Sequence, residues 1–427
     1  MTNLASRRAL RSMAAVLVAV LGASGLAACS GTAAGAGDVV IGALYPTQGD
    51  QGAGGTQELH GVELAVDWVN AHGGINGRDV HLVTESVSRP EAVPEAMSDL
   101  ASHHVVAVLG SHSSEVSAVA AEEATQLHMS FWETGAVGML PKGVATGTNF
   151  FRLAPSGATL GHAAIHFVSS VLTPQRKLQK NLRYTVTYVD DAYGRSVGAG
   201  AIAEIHKAGL TLAAAIGYDP NHFDPTAVAK KVAAAHTDVL FASAYIDDGV
   251  AVQRALAHLH VPLKVAIGTS SSYCTPQFGQ MLGAGAVGVF ASDKPDADHV
   301  REAALQPEAR TQLEWASTQY ATKYNAAMSS YALSGFSNTL VVLGHVLPAA
   351  HSLSVADIAR AAHTVHLAPN SLPNGGGYDL APDSASDAGD NVRAESVIWQ
   401  WVAPVTPAVV YPPSYATHTI ADLRVAA

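Results

Sequence analysis

Several groups of residues in this 427-residue chain are of types that do chemistry. Gly194-Arg195-Ser196-Val197-Gly198 fits the Gly-x-Ser-x-Gly pattern, in which a serine raised on a tight strand-to-helix turn acts as a nucleophile. Ser113-Ser114, just ahead of a helical stretch at Glu115, offers hydroxyls and helix-start N–H groups to an anion such as a carboxylate. Carboxylates gather at Asp190-Asp191 and at Asp247-Asp248, and Glu133 stands beside Thr134. A donor cluster at one place and an acid at another is what a zwitterion needs on leaving water, because an unpaired buried charge is very costly. The 20 histidines are scattered, and no His-x-x-x-His pair sits with a carboxylate in a zinc-protease arrangement. They read as surface or internally satisfied residues, and no metal is expected. The glycines at 52–55 lack the third glycine of a dinucleotide fingerprint, and no Gly-Lys-Ser/Thr phosphate loop exists, so no cofactor is expected either.

The elements that must position these residues alternate between strand and helix. Residues 39–45 form an apolar, β-branched run, and 56–70 carry Leu59, Val62, Val66 and Val69 on one helical face. Strands are predicted at 80–83, 105–109 and from 129, with helices at 94–102 and 115–127 between them. After a Gly-rich gap the beat resumes with helices at 156–172, 195–208, 225–235 and 250–258. Strands at 184–189, 212–218, 239–244 and 265–268 separate them. Helices between short apolar strands mean βαβ crossovers and parallel sheets covered on both faces, so the fold class is α/β with two doubly wound lobes joined near 150–155. Ligands of such sheets sit beyond the carboxyl ends of strands, which directs attention to the turns at 45–49, 110–114, 133–136, 190–194 and 245–248. Each Ser, Thr or Asp there has a plainer use as a helix cap, but the candidates recur at successive strand ends in both halves. Ser196 stands seven positions beyond Val189, too far for a nucleophile elbow, and is expected inside the following helix; a hydrolase is the weaker reading.

Composition narrows the class. A net charge of −11 with few lysines disfavours nucleic acid or an anionic lipid surface as partner. Arg7, Arg8 and Arg11 precede a short charge-free run at 13–26 and the small residues Leu26-Ala27-Ala28-Cys29, the order of a secretory signal. The Leu-Ala-Ala-Cys ending resembles the lipobox of bacterial lipoproteins, which implies a signal peptide over 1–28, cleavage before Cys29 and lipid on its sulfur. Ser6-Arg7-Arg8 resembles the start of a twin-arginine signal, and the export route stays open. The Ser/Gly/Thr/Ala stretch that follows, to residue 37, reads as a flexible tether. With Cys29 acylated only Cys274 remains, so no disulfide is possible, and Cys274 reads as a small buried residue. No later run of 18 apolar residues predicts a second membrane span. The remaining chain, about 390 residues, exceeds what one core supports.

Nearly the whole mature chain resembles the type I periplasmic binding proteins of the branched-chain amino acid (Leu/Ile/Val) kind. Gly73-Gly74-Ile75-Asn76-Gly77-Arg78, Gly110-Ser111-His112-Ser113-Ser114, Phe151-Arg152-Leu153-Ala154-Pro155-Ser156 and Asp190-Asp191-Ala192-Tyr193-Gly194 carry the resemblance. It implies two lobes joined by a three-stranded hinge: 38–154 with 292–368, then 155–291 with 369–403, and a C-terminal extension at 404–427. It also implies a ligand held between the lobes. Ser113 or Ser114 would hold its carboxylate, Thr134, Gly135 and Ala136 would contribute at the next strand end, and Tyr193 would reach across. Asp247 or Asp248 would meet an ammonium. A member of this family delivers an amino-acid-like molecule to the permease of an ABC transporter, or docks to a membrane receptor as a sensor, and in neither case is it an enzyme. This chain departs from the common pattern in carrying His112 and Ser113 where many members have a cysteine.

The anchor is directly testable. In Cys29→Ala the protein is expected to be released from the membrane or to keep its signal, and mass spectrometry of the wild type should show the added lipid. Equal membrane retention of wild type and variant, with no lipid mass, would refute the assignment.

Overall fold

The computed structural model describes residues 37–423; the signal segment and Cys29 lie outside them. The chain builds two sheets. The first holds β1 (Val39–Tyr45), β2 (Val80–Ser86), β3 (Val108–Gly110), β4 (Phe131–Glu133) and β5 (Phe150–Arg152) in the order β2-β1-β3-β4-β5, all parallel. The second holds β6 (Arg183–Val189), β7 (Thr211–Tyr218), β8 (Val239–Ser243), β9 (Val265–Thr269), β10 (Phe290–Asp293), β11 (Val397–Ala403) and β12 (Thr406–Tyr411). Its order is β12-β11-β10-β9-β8-β6-β7, parallel from β7 to β10 and antiparallel at β11 and β12. Runs such as Val39–Tyr45 and Val239–Ser243 are apolar nearly throughout because helices cover both faces of the sheet.

The covering helices are α1 (Gly52–Ala71), α2 (Val93–Ser102), α3 (Ser114–Gln126), α4 (Gly157–His166), α5 (Ala192–Lys207), α6 (Pro225–Ala234), α7 (Ile246–His258), α8 (Pro276–Leu282), α9 (Pro307–Tyr324), α10 (Ser330–Leu340) and α11 (Val355–Thr364). Each lobe has one helix pair in very close contact, and glycine allows it. In the first, a Cβ on Gly61 of α1 would overlap the Ala332 carbonyl of α10, and one on Gly335 would overlap that of Glu58. In the second, Gly161 of α4 faces the Val197 carbonyl and Gly200 of α5 faces Ala158. The helix from Ser330 runs on to Ala349 and is long and apolar enough to cross a membrane, with a mean hydropathy of 1.3. Its residues Leu333, Phe336, Leu340, Val341 and Leu343 are buried in the first lobe's core.

The chain passes between the lobes after β5, after β10 and before β11. The last passage differs from the boundary read in the sequence. Leu372, Tyr378 and Leu380 pack in the first lobe's core, the Tyr378 hydroxyl donates to the Ala362 carbonyl, and Asp390 pairs with Arg152. The stretch from 369 to about 392 therefore sits with the first lobe, and the return comes between Asn391 and β11. This stretch has few apolar residues and no period, so its burial left no pattern to read. Residues beyond 403 are not an appendage: β12 pairs with β11, Tyr415 is buried, and Arg176 Nη2 donates to the carbonyls of Ile420 and Ala421.

Gly61→Ala should force α1 and α10 apart. Overpacking of this kind costs about 1–3 kcal/mol. A lowered thermal midpoint is expected for the variant, and an unchanged one would show that the contact relaxes freely.

Candidate functional site

The turns leaving the carboxyl ends of the parallel strands converge on one cleft. From the first lobe come Gln51 just ahead of α1, His112 and Ser114 after β3, Gly135 to Val137 after β4, and Tyr331 at the start of α10. From the second come Tyr193 after β6, Tyr245 after β8, Ser270 and Ser271 after β9, and Lys294 after β10. Hydrogen bonds cross it: Gln51 Nε2 donates to the Tyr245 hydroxyl at 3.4 Å, and Lys294 Nζ donates to the Gly135 carbonyl at 3.0 Å. Lys294 is only 5% exposed and stands 5.8 Å from the centre of the Tyr331 ring. Tyr193 and Tyr245 lie 5.5 Å apart, so three tyrosines, His112 and a cation dominate the walls.

The residues singled out in the sequence divide here. Ser114, Gly135, Ala136 and Tyr193 line the cleft, and the Tyr193 hydroxyl donates to the Ser270 carbonyl at 2.9 Å. Ser113 takes the N-cap position of α3 and is buried beside the cleft. Thr134 is behind the wall with 0% exposure: its hydroxyl donates to Glu58 Oε1 at 2.5 Å and accepts from Tyr45 at 2.6 Å, and its carbonyl accepts from Ser334 and Asn338. The acids read as ammonium partners are not in the cleft. Asp247 is exposed to solvent, and Asp248 turns inward to accept from the Tyr218 hydroxyl at 2.6 Å. At the first turn of α7 the two acids face outward and into the lobe, while the preceding Tyr245 faces the cleft and donates to Asp191 at 2.7 Å. Ser196 is inside α5 as expected for its distance from the strand, but it adjoins the site, donating to the Val137 carbonyl at 3.0 Å. Cys274 is a half-buried thiol that donates to Asp293 Oδ2 at 2.8 Å. Lys294, Tyr331 and the serines at 270–271 escaped sequence reasoning. The hydroxyl run Thr269-Ser270-Ser271-Ser272 at a strand end was the available signal for the serines.

Behind the first-lobe wall lies a buried acidic network. Glu133 Oε1 accepts the backbone N–H groups of Ser111 at 3.2 Å, Gly135 at 2.9 Å and Ala136 at 2.6 Å, and Ser117 donates to its other oxygen. The N–H groups of Gly135 and Ala136, two residues expected to contribute at the ligand, are thus taken up by the chain's own carboxylate. His112, in the left-handed region at φ 69°, places Nδ1 2.8 Å from Glu58 Oε2 and its ring edge against Tyr331. Burial, with the nearby Glu58 charge adding to it, pushes the Glu133 carboxyl up to about 7, against the lowering effect of its hydrogen bonds.

A carboxyl raised in the folded state binds more protons there than when unfolded, so it favours folding below its unfolded pKa and loses that contribution as pH rises through the folded value. Between about pH 4.5 and 7 Glu133 should cost on the order of 3 kcal/mol, at 1.36 kcal/mol per pKa unit. Asp248, up to about 6, and Glu395, up to about 7, slope the same way, so a variant must isolate Glu133. Glu133→Gln keeps the shape and should flatten the fall of thermal midpoint over that range. Identical pH profiles for wild type and variant would mean that Glu133 ionises without penalty.

Comparison with known proteins places this geometry. The family model described as periplasmic binding protein matches residues 38–386. A Leu/Ile/Val-binding protein homolog 8 of Brucella suis is 30% identical over 328 residues, covering 75% of this chain and 78% of the relative. Homolog 7 of Brucella melitensis is 28% identical over 226 residues, which is 52% of this chain, and the match spans only 56% of that relative. Among solved structures, the leucine-binding protein LivK of Thermotoga maritima superposes with a TM-score of 0.71 at 16% identity, covering 87% of this chain and 97% of the other. A solute-binding protein of an ABC transporter from R. palustris, in complex with benzoate, gives 0.68 at 14% identity, covering 88% and 96%. These two share the fold. The chain belongs to the type I periplasmic binding proteins, in the branched-chain amino acid family, whose members bind solutes and are not enzymes.

Proposed function

We propose that this protein is exported, held at the outer face of the cell membrane by lipid on Cys29, and captures a small carboxylate in the cleft for delivery to the permease of an ABC importer. One observation carries the reading: turns from both lobes, all at carboxyl ends of parallel strands or helix starts, line one cleft with hydroxyls, tyrosines and a single lysine. A ligand carboxylate would lie between Ser114 at the α3 N-terminus and Lys294, where the helix dipole and the ammonium both favour an anion. Tyr193, Tyr245 and Tyr331 would cover an apolar remainder. Relatives named for leucine, isoleucine and valine support an amino acid as that ligand.

A second reading, a carboxylate without an amine, is favoured by a specific feature. Among the described residues lining the cleft no carboxylate is available for an ammonium, and the charged group present is Lys294. A fold neighbour solved in complex with benzoate supports such a molecule as the ligand.

Isothermal titration with leucine, 4-methylpentanoate and benzoate separates the two readings. At 100 times its dissociation constant a true ligand also raises stability by about 2.7 kcal/mol. Binding of leucine with rejection of 4-methylpentanoate would show ammonium recognition and eliminate the second reading; the reverse would eliminate the first. In either case Lys294→Met should weaken binding about 100-fold or more, since a buried charge left unpaired costs about 3–5 kcal/mol. Unchanged affinity would remove Lys294 from the site.

A further inference from the structure

On the second lobe, apart from the cleft, two histidines and a buried glutamate converge. His162 and His166 stand four residues apart on α4, one above the other on the same face, with ring centroids 5.8 Å apart and planes within 10° of parallel. Glu204 projects from α5, the helix that Gly161 and Gly200 bring against α4. One ligand atom from each of the three residues lies within 4.8 Å of the others. We propose that His162, His166 and Glu204 form a binding site for a divalent transition metal, with zinc the ion that fits the donor set.

The carboxylate makes the case. Glu204 is 6% exposed, and its Oε2 is buried without a hydrogen bond. His162 Nδ1 is 2.7 Å from that oxygen, close but off the line a hydrogen bond requires, and Lys207 Nζ is 3.4 Å away. An anionic oxygen removed from water and left without a directed donor is costly. A cation bound jointly by the oxygen and the two imidazoles would remove that cost. Two neutral imidazole nitrogens and one carboxylate oxygen suit zinc, whose fourth position would be filled by water because the His162 side chain is 45% exposed. Calcium and magnesium prefer all-oxygen sites and should be rejected. The ion would tie α4 to α5 and thereby stiffen the second lobe.

The test is zinc titration of the chelator-stripped protein against a competing chromophoric chelator, comparing wild type with His162→Ala/His166→Ala and with Glu204→Gln. The other histidines contribute a background common to all three, so the readout is the difference. Wild type should take up one zinc equivalent that the double variant lacks. Glu204→Gln should bind it at least about tenfold more weakly, a loss that even a supporting partner of a ligand can cause. Cobalt in place of zinc should show the intense visible absorption of a tetrahedral site in the wild type alone. Equal zinc uptake by wild type and either variant, with all three melting alike when metal-free, would overturn the site and leave an ordinary His–Glu contact between two helices.

Discussion

Neighbouring strands can run parallel only if the chain travels back across the sheet between them, and in this protein helices make that return. Every parallel strand then ends at the same edge of its sheet, and every turn leaving that edge starts a helix or a loop. Two such edges face each other, which is why residues as distant as Gln51, Tyr245 and Lys294 share one cleft. Ser114 and Tyr193 each stand within the first two residues of a helix that begins there. The connectivity of the sheets thus decides where binding is possible, before any particular side chain decides what is bound.

The electrostatics of the cleft depend on what is kept out of it. Acids are plentiful nearby, yet Glu58 and Glu133 are engaged behind the first-lobe wall and Asp248 within the second lobe. Each is held by hydroxyls or backbone N–H groups, the arrangement a buried carboxylate requires. What remains facing the cleft is a lysine, a histidine and neutral donors. A chain with a net charge of −11 therefore presents, among the described residues lining this cleft, a lysine and no carboxylate.

Much of the fold was legible before any coordinates. As far as Thr269 the longer strands and helices lie close to where hydrophobic period placed them, because each of these is long enough to show its period. Legibility fails where elements shorten or lose period. Phe150–Arg152 has three residues, Phe290–Asp293 mixes apolar and polar, and the stretch holding Leu372, Tyr378 and Leu380 has no repeat at all. The site was legible as a set of turns but not as a set of side chains. Within 245–248 the pattern could not say that Tyr245 faces the cleft while the two acids do not, since one step along a helix start rotates a side chain by about 100°. The spacing of His162 and His166 was visible, but Glu204 joins them only through the packing of α4 on α5.

The helix from Ser330 to Ala349 has a meaning beyond its place in the core. By length and composition it qualifies as a membrane segment, and 78% of its most apolar window is hidden only once the first lobe has folded around it. A chain exported unfolded would present this stretch to the translocation machinery with nothing covering it. Ser334 and Asn338, in its first half, satisfy the Thr134 carbonyl in the folded protein. In the unfolded chain the same two side chains oppose partition into lipid, because polar groups within a span raise its cost of insertion. One pair of residues thus supports the cleft wall after folding and makes the segment less apolar before it.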